Sequence, residues 1–237
     1  MKTLLLLLGG AKFGKVLLTS GTMLLSVFTY GLLWGWPYAV GFVLLIFLHE
    51  MGHYVAARQR GLAVGAPTFI PFVGAWIQLK DLPHNAETEA YVGLAGPVAG
   101  TAAALACFEA GRYTGSQLLI ALSYAGFMLN LFNLLPLSPL DGGRVTAVIS
   151  PKLWLVGAPL LVALFFWQPS PMYLLIAVLA FPKFWQALTG RGLETAYYDT
   201  PAATRFNYGL AYVGLVAYLG AMTWSLHEQL GGIRAAG

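Results

Sequence analysis

The chain reads as a series of apolar runs, too apolar for ordinary soluble helices, separated by short polar punctuation. A Leu4 to Leu8 run flanked by Lys2, Lys12 and Lys15 is too short to span a bilayer and reads as a cytoplasmic or interfacial lead-in. The first spanning candidate runs from Val16 to about Trp34 and is closed by Trp34, Trp36 and Pro37, in the manner of an aromatic interface belt. A second runs from about Tyr38 to Ala57 and ends at Arg58 and Arg60. Further spans follow at about Ala90 to Ala110, Ser116 to Pro136, Leu153 to Trp167, Met172 to Ala187 and Asn207 to His227, with a short helical piece reaching Ile149.

One stretch breaks this pattern. In residues 65 to 81, Pro67, Pro71, Gly65 and Gly74 punctuate a β-branched and aromatic run that includes Thr68, Phe69, Ile70, Trp76 and Ile77, which favours extended strands. Strand edges cannot face lipid, so this piece must be buried in protein, line a wet cavity or pair with another chain. The expected fold is an all-α integral membrane bundle of about six to seven transmembrane helices, with a small membrane-associated β-hairpin or sheet near residues 66–80. A single domain over residues 1–237 is expected.

Composition agrees with a bilayer setting. The chain is 58% hydrophobic and 9% charged, with a mean hydropathy of +0.71, whereas soluble proteins carry about 25% charged residues. The net charge of +4 is spread between apolar segments and forms no basic run, which excludes nucleic acid as an expected partner. The lone cysteine, Cys107, reads as a small packing residue. With a cytoplasmic N-terminus and seven spans, every basic residue except Arg112 and Arg234 falls inside, 11 of 13, in accord with the positive-inside tendency.

Candidate chemistry starts at His49-Glu50-Met51-Gly52-His53 in the second span. One helical turn puts both imidazoles on one face, where they can reach one zinc ion with Glu50 beside it as a general base. At 1.5 Å per residue His49 lies roughly 15 to 20 Å from the start of its helix, inside the hydrocarbon layer and nearer the Arg58 end.

A catalytic zinc centre takes three protein ligands and leaves one position open. Asp141, in Pro139-Leu140-Asp141-Gly142-Gly143-Arg144, is the candidate third ligand, because an unpaired carboxylate at the end of an apolar span is costly. Its bland readings are capping of the short helix after it, or an ion pair with Arg144. Asn133 is a candidate donor to the developing oxyanion or the substrate backbone, against a role as helix glue beside Pro136. Asn130 has no claim beyond glue. Gly96-Pro97-Val98-Ala99-Gly100 is explained by close helix approach, and His84 and His227 read as loop and interface histidines.

Taken together, His49-Glu50-Met51-Gly52-His53, then Phe69-Ile-Pro71-Phe-Val-Gly74, then Asn133-x-x-Pro136-x-x-x-Leu140-Asp141-Gly142 resemble the site-2 protease family of intramembrane zinc metallopeptidases, peptidase family M50, over about residues 38–144. The resemblance implies an enzyme of regulated intramembrane proteolysis that cuts transmembrane segments of single-span membrane protein substrates. It implies one zinc ion per chain held by His49, His53 and Asp141, with Glu50 as catalytic acid and base and Asn133 positioning substrate. Many members carry a PDZ or CBS domain, for which this chain has no room, and relatives often have Asn where Gly100 stands. Localisation in a prokaryotic plasma membrane, with the site in the cytoplasmic half, is expected. The alternatives are a noncatalytic metal-binding membrane chaperone or scaffold, which would have no need of Glu50, and a metal transporter, which would need a ladder of intramembrane His or carboxylates.

Overall fold

The computed structural model describes residues 19–72, 74–79, 81 and 83–236, and for 76–79 and 231–236 the backbone alone. The lead-in from Met1 to Lys15, the opening residues of the first expected span and Lys80 lie outside the described residues.

Helix α1 (19–34) stops where Gly35 takes φ 89°, a value that strains any residue with a Cβ. Pro37 then occupies the first turn of α2 (Trp36–Gln59), where its missing N–H is harmless. The chain folds back on itself, and Tyr30, Ala39, Val43 and Ile46 share a buried cluster with Phe69 of the following sheet.

Strands β1 (Val64–Ile70) and β2 (Gly74–Leu79) pair antiparallel, Ile70 opposite Gly74, around a turn in which Phe72 has φ 65° and Gly74 φ 115°. The extended reading of this stretch therefore holds, and so does its demand for covered edges. The outer edge of β1 is stitched to α1: the Thr19 hydroxyl donates to the Pro67 carbonyl at 2.7 Å, and the Phe69 N–H donates to the Thr22 hydroxyl at 3.2 Å. At the turn, the Phe72 N–H donates to the Tyr30 hydroxyl at 2.8 Å. Groups that water would satisfy in a soluble protein are satisfied here by side chains of a neighbouring helix.

Helix α3 (Ala86–Thr114) starts at Asn85, whose side chain accepts from Thr88 N–H at 2.8 Å, with Glu87 and Glu89 in its first turn, and ends at Gly115 in the left-handed conformation. Helix α4 (Gln117–Asn133) returns from a Ser116 cap. Residues 134–140 cross irregularly to α5 (Asp141–Ile149), whose Gly142 and Gly143 lie so close to the backbone of this crossing that a Cβ on either would overlap it. The Tyr212 hydroxyl donates to the Leu134 carbonyl at the start of the crossing at 2.6 Å, and the Trp154 indole N–H donates to the Gly143 carbonyl in the first turn of α5 at 2.8 Å.

A single 3₁₀ turn (Pro151–Leu153) leads to α6 (Trp154–Trp167), α7 (Pro171–Thr189) and α8 (Ala202–Ala236). Among the described residues, α2, α3, α7 and α8 as far as Leu230 are each long and apolar enough to cross a bilayer, and α4 and the 151–167 stretch are shorter apolar helices. With α1 they form the expected bundle of about six to seven helices. The polar loop before α8 docks beside the start of α3, where the Ala86 N–H meets the Tyr197 carbonyl at 2.9 Å and the Tyr197 hydroxyl donates to Glu89 at 2.7 Å.

Candidate metal centre

His49 and His53 project from one face of α2, their ring centroids 4.8 Å apart, as a four-residue helical spacing dictates. Asp141, the first residue of α5, reaches them from the far side of the crossing: its Oδ2 lies 3.1 Å from His49 Nε2 and 3.2 Å from His53 Nε2, and the two Nε2 atoms are 3.1 Å apart. All three side chains are buried, at 3, 7 and 7% exposure for His49, His53 and Asp141. Helix α5 has no side-chain cap, and among the described residues Arg144 is in no ion pair.

The outer nitrogens of the two rings decide what this cluster suits. His53 Nδ1 lies 2.7 Å from the Val92 carbonyl, and His49 Nδ1 lies 2.8 Å from Asn130 Oδ1. Each faces an acceptor, so each neutral ring carries its proton on Nδ1 and presents a lone pair at Nε2. Two nitrogen lone pairs and a carboxylate oxygen thus converge on one point, an arrangement that repels itself without a cation. Tetrahedral zinc with bonds of about 2.0–2.1 Å holds neighbouring donor atoms about 3.3–3.4 Å apart; the observed 3.1 to 3.2 Å fits that triangle with little adjustment. Two imidazoles and one carboxylate, with no thiolate, form a donor set suited to zinc.

Glu50 sits next to this triangle. Its carboxylate is within 4.8 Å of a ring nitrogen of each histidine, farther than Asp141, and among the described residues no hydrogen bond or ion pair occupies it. Glu50, both histidines, Asp141 and Asn133 line one cleft of about 1190 Å³ that also takes in Phe72, Gly74 and Ala75 at the sheet and a wall from α6 and α7. That exceeds the roughly 300–1,000 Å³ of a pocket for a small ligand. Among the described residues, the Asn133 amide, which lines this cleft, has no hydrogen-bond partner.

The remaining candidates are away from the cluster. His84 is exposed in the loop before α3, His227 pairs with the Tyr124 hydroxyl at 3.3 Å, and Cys107 is a half-buried thiol on α3. Two features escape a reading of the sequence. Asn130, which had no claim, touches His49. The glycines of Gly96-x-x-x-Gly100, assigned to helix packing alone, face site side chains: a Cβ at Gly96 would overlap the His53 ring, and one at Gly100 would overlap the Asn130 amide. A signal for Asn130 did exist, since it stands three residues before Asn133 and so lies on the same side of α4.

Comparison with known proteins bears on the same segment. The family model of peptidase family M50 matches residues 37–115. A zinc metalloprotease of Methanocaldococcus jannaschii is 30% identical over 136 residues, covering 54% of this chain and 38% of that protein. The chloroplastic protein EGY1 of Arabidopsis thaliana is 31% identical over 86 residues, covering 34% of this chain and 16% of its own. The chain thus spans well under half the length of these curated relatives. The solved site-2 protease from Methanocaldococcus jannaschii is 20% identical, with 76% of this chain and 87% of that one covered and a TM-score of 0.47. Helix α2 with its histidines and glutamate, the β-hairpin and helix α3 lie within the segment that the family model of peptidase family M50 matches.

Proposed function

We propose that this multi-pass membrane protein is an intramembrane zinc endopeptidase that hydrolyses peptide bonds in transmembrane segments of single-span proteins. The observation that carries the reading is the convergence of His49 Nε2, His53 Nε2 and Asp141 Oδ2 at 3.1 to 3.2 Å on the wall of a cleft that also holds an unengaged Glu50. These three residues are the ligands in this reading. Zinc bound there supplies Lewis-acid polarisation of the scissile carbonyl and a water acidic enough to be deprotonated near neutral pH.

The chain's own groups do the rest. Glu50 takes the proton from the attacking water and passes it to the leaving amine, which needs a carboxylate free of other partners. The Asn133 amide donates toward the carbonyl oxygen as negative charge develops on it. A transmembrane helix hides its peptide bonds, so the substrate must be locally unwound. Strand addition to the hairpin would hold the unwound piece, and its support is local: the outer edge of β1 is occupied by Thr19 and Thr22, whereas Gly74 and Ala75 of β2 line the cleft. A cytoplasmic N-terminus with the site in the cytoplasmic half is supported by its position nearer the Arg58 end of α2.

The test is co-expression of wild-type protein and Glu50→Gln with a panel of single-span membrane proteins. Fragments formed only with wild type are the expected result. Fragments formed equally by Glu50→Gln end the catalytic assignment, and zinc retention with no fragments from any substrate favours a metal-bearing scaffold.

A further inference from the structure

His53 and His49 are held in the same orientation by different means. The holder of His53 is a backbone carbonyl, Val92, which no substitution removes; the holder of His49 is a side chain, Asn130. Asn130 is 1% exposed in the middle of an apolar bundle, where an amide without partners is costly. Its two ends are both used. The NH₂ donates to the Gly126 carbonyl one turn back at 2.7 Å, which leaves only Oδ1 to face His49 Nδ1 at 2.8 Å. The direction of the amide is therefore set by a second contact, and with it the tautomer of His49.

Space for this arrangement comes from α3. A Cβ on Gly100 would stand 2.6 Å from the Asn130 Nδ2 and 2.8 Å from its Cγ, closer than any side chain tolerates. Gly96, one turn earlier, leaves the matching space for the His53 ring. Close approach of two backbones explains neither notch, because what fills each is a polar side chain of another helix.

Building on the metal reading above, we infer that Asn130 is the positioning residue for His49, accepting its Nδ1–H so that the Nε2 lone pair points to the shared site, and that Gly100 is the notch that admits it. Second-sphere acceptors of this kind typically contribute about 10–100-fold in metal affinity.

The experiment measures zinc affinity of the purified full-length protein by competition with a chromophoric chelator, with thermal unfolding in detergent as a fold control. Asn130→Leu removes the acceptor and is expected to weaken zinc by about 10–100-fold. Asn130→Asp keeps an oxygen facing His49 but loses the donor to Gly126; it is expected to bind within a few-fold of wild type, whereas a merely structural amide would fail equally in both variants. Gly100→Ala leaves every donor and acceptor in place and is expected to match Asn130→Leu by displacing the amide. Cobalt absorption spectra of the same variants report the geometry around the metal independently of turnover. Wild-type affinity in Asn130→Leu, or equal losses in Asn130→Leu and Asn130→Asp, overturns the inference. If Asn130→Asp does not fold, wild-type affinity in Gly100→Ala does so. His49→Ala separates the two levels. Zinc binding by wild type and not by His49→Ala upholds the metal site even where the Asn130 assignment fails, and no zinc binding by wild type ends both.

Discussion

The two walls of the cleft are built differently. On the wall that carries the site, α3 buries 11 of its 29 residues and uses glycines to let His53 and Asn130 press against its backbone. On the facing wall, α6 buries 3 of 14 residues and α7 3 of 19, so most of each helix is left to lipid or to the cleft. The pair is anchored chiefly at one end, where Trp154 and Leu161 pack with Leu137 and Ala147. Tenths of an ångström matter on the first wall, because lone pairs must meet at one point. A wall of largely exposed apolar helices has no such constraint. Packing is thus dense around the histidine cluster and sparse on the opposite side.

Breaking the fixed wall at its reactive groups gives the largest effects. Glu50→Gln is expected to lower cleavage by about 10²–10⁴-fold while bound zinc, measured by metal analysis, stays at the wild-type level. Asp141→Ala should take both together: with one of three donors gone, zinc content after dialysis falls well below one per chain, and wild-type occupancy with normal activity would rule the carboxylate out as a ligand.

The comparison itself is tested by a pair of packing changes. Gly96→Ala drives a methyl into the His53 ring and should lose zinc out of proportion to its loss of thermal stability. Leu161→Ala, at a site 3% exposed in α6, removes buried contacts worth a few kcal/mol in soluble cores, about 2–5, yet should leave zinc content unchanged. Loss of zinc in Leu161→Ala would mean that the two walls are not separable. The smallest effect is expected at the hairpin. Tyr30→Phe deletes only the acceptor for the Phe72 N–H, a change of about 0.5–1.5 kcal/mol, and hydrogen exchange at the turn should speed up with zinc retained.

Much of this was legible along the chain, for definite reasons. His49 and His53 could be paired because helical geometry converts a four-residue spacing into a shared face without help from the rest of the fold. The hairpin could be anticipated because Pro71, Gly74 and the β-branched run between the spans oppose a helix, and Phe72 and Gly74 do take positive φ. Asp141 stood out because a carboxylate without a partner is expensive in an apolar setting. Asn130 did not, because an amide carries no such penalty signal and is commonly helix glue. The small residues at Gly96 and Gly100 predicted close approach correctly but could not say what approaches.

From the sequence alone, then, came the membrane setting, the succession of helices, the interruption by a hairpin and the candidate ligands His49, His53 and Asp141, because each follows from local periodicity, turn chemistry or the cost of a charge in an apolar setting. The tertiary structure decided which atoms meet. Helix register across α2, α3 and α4 brings Asn130 to His49 and Val92 to His53, and the crossing before α5 delivers Asp141 to within 3.1 and 3.2 Å of the two rings. Such relations join residues tens of positions apart, and they depend on how helices pack in three dimensions, which spacing along the chain does not encode.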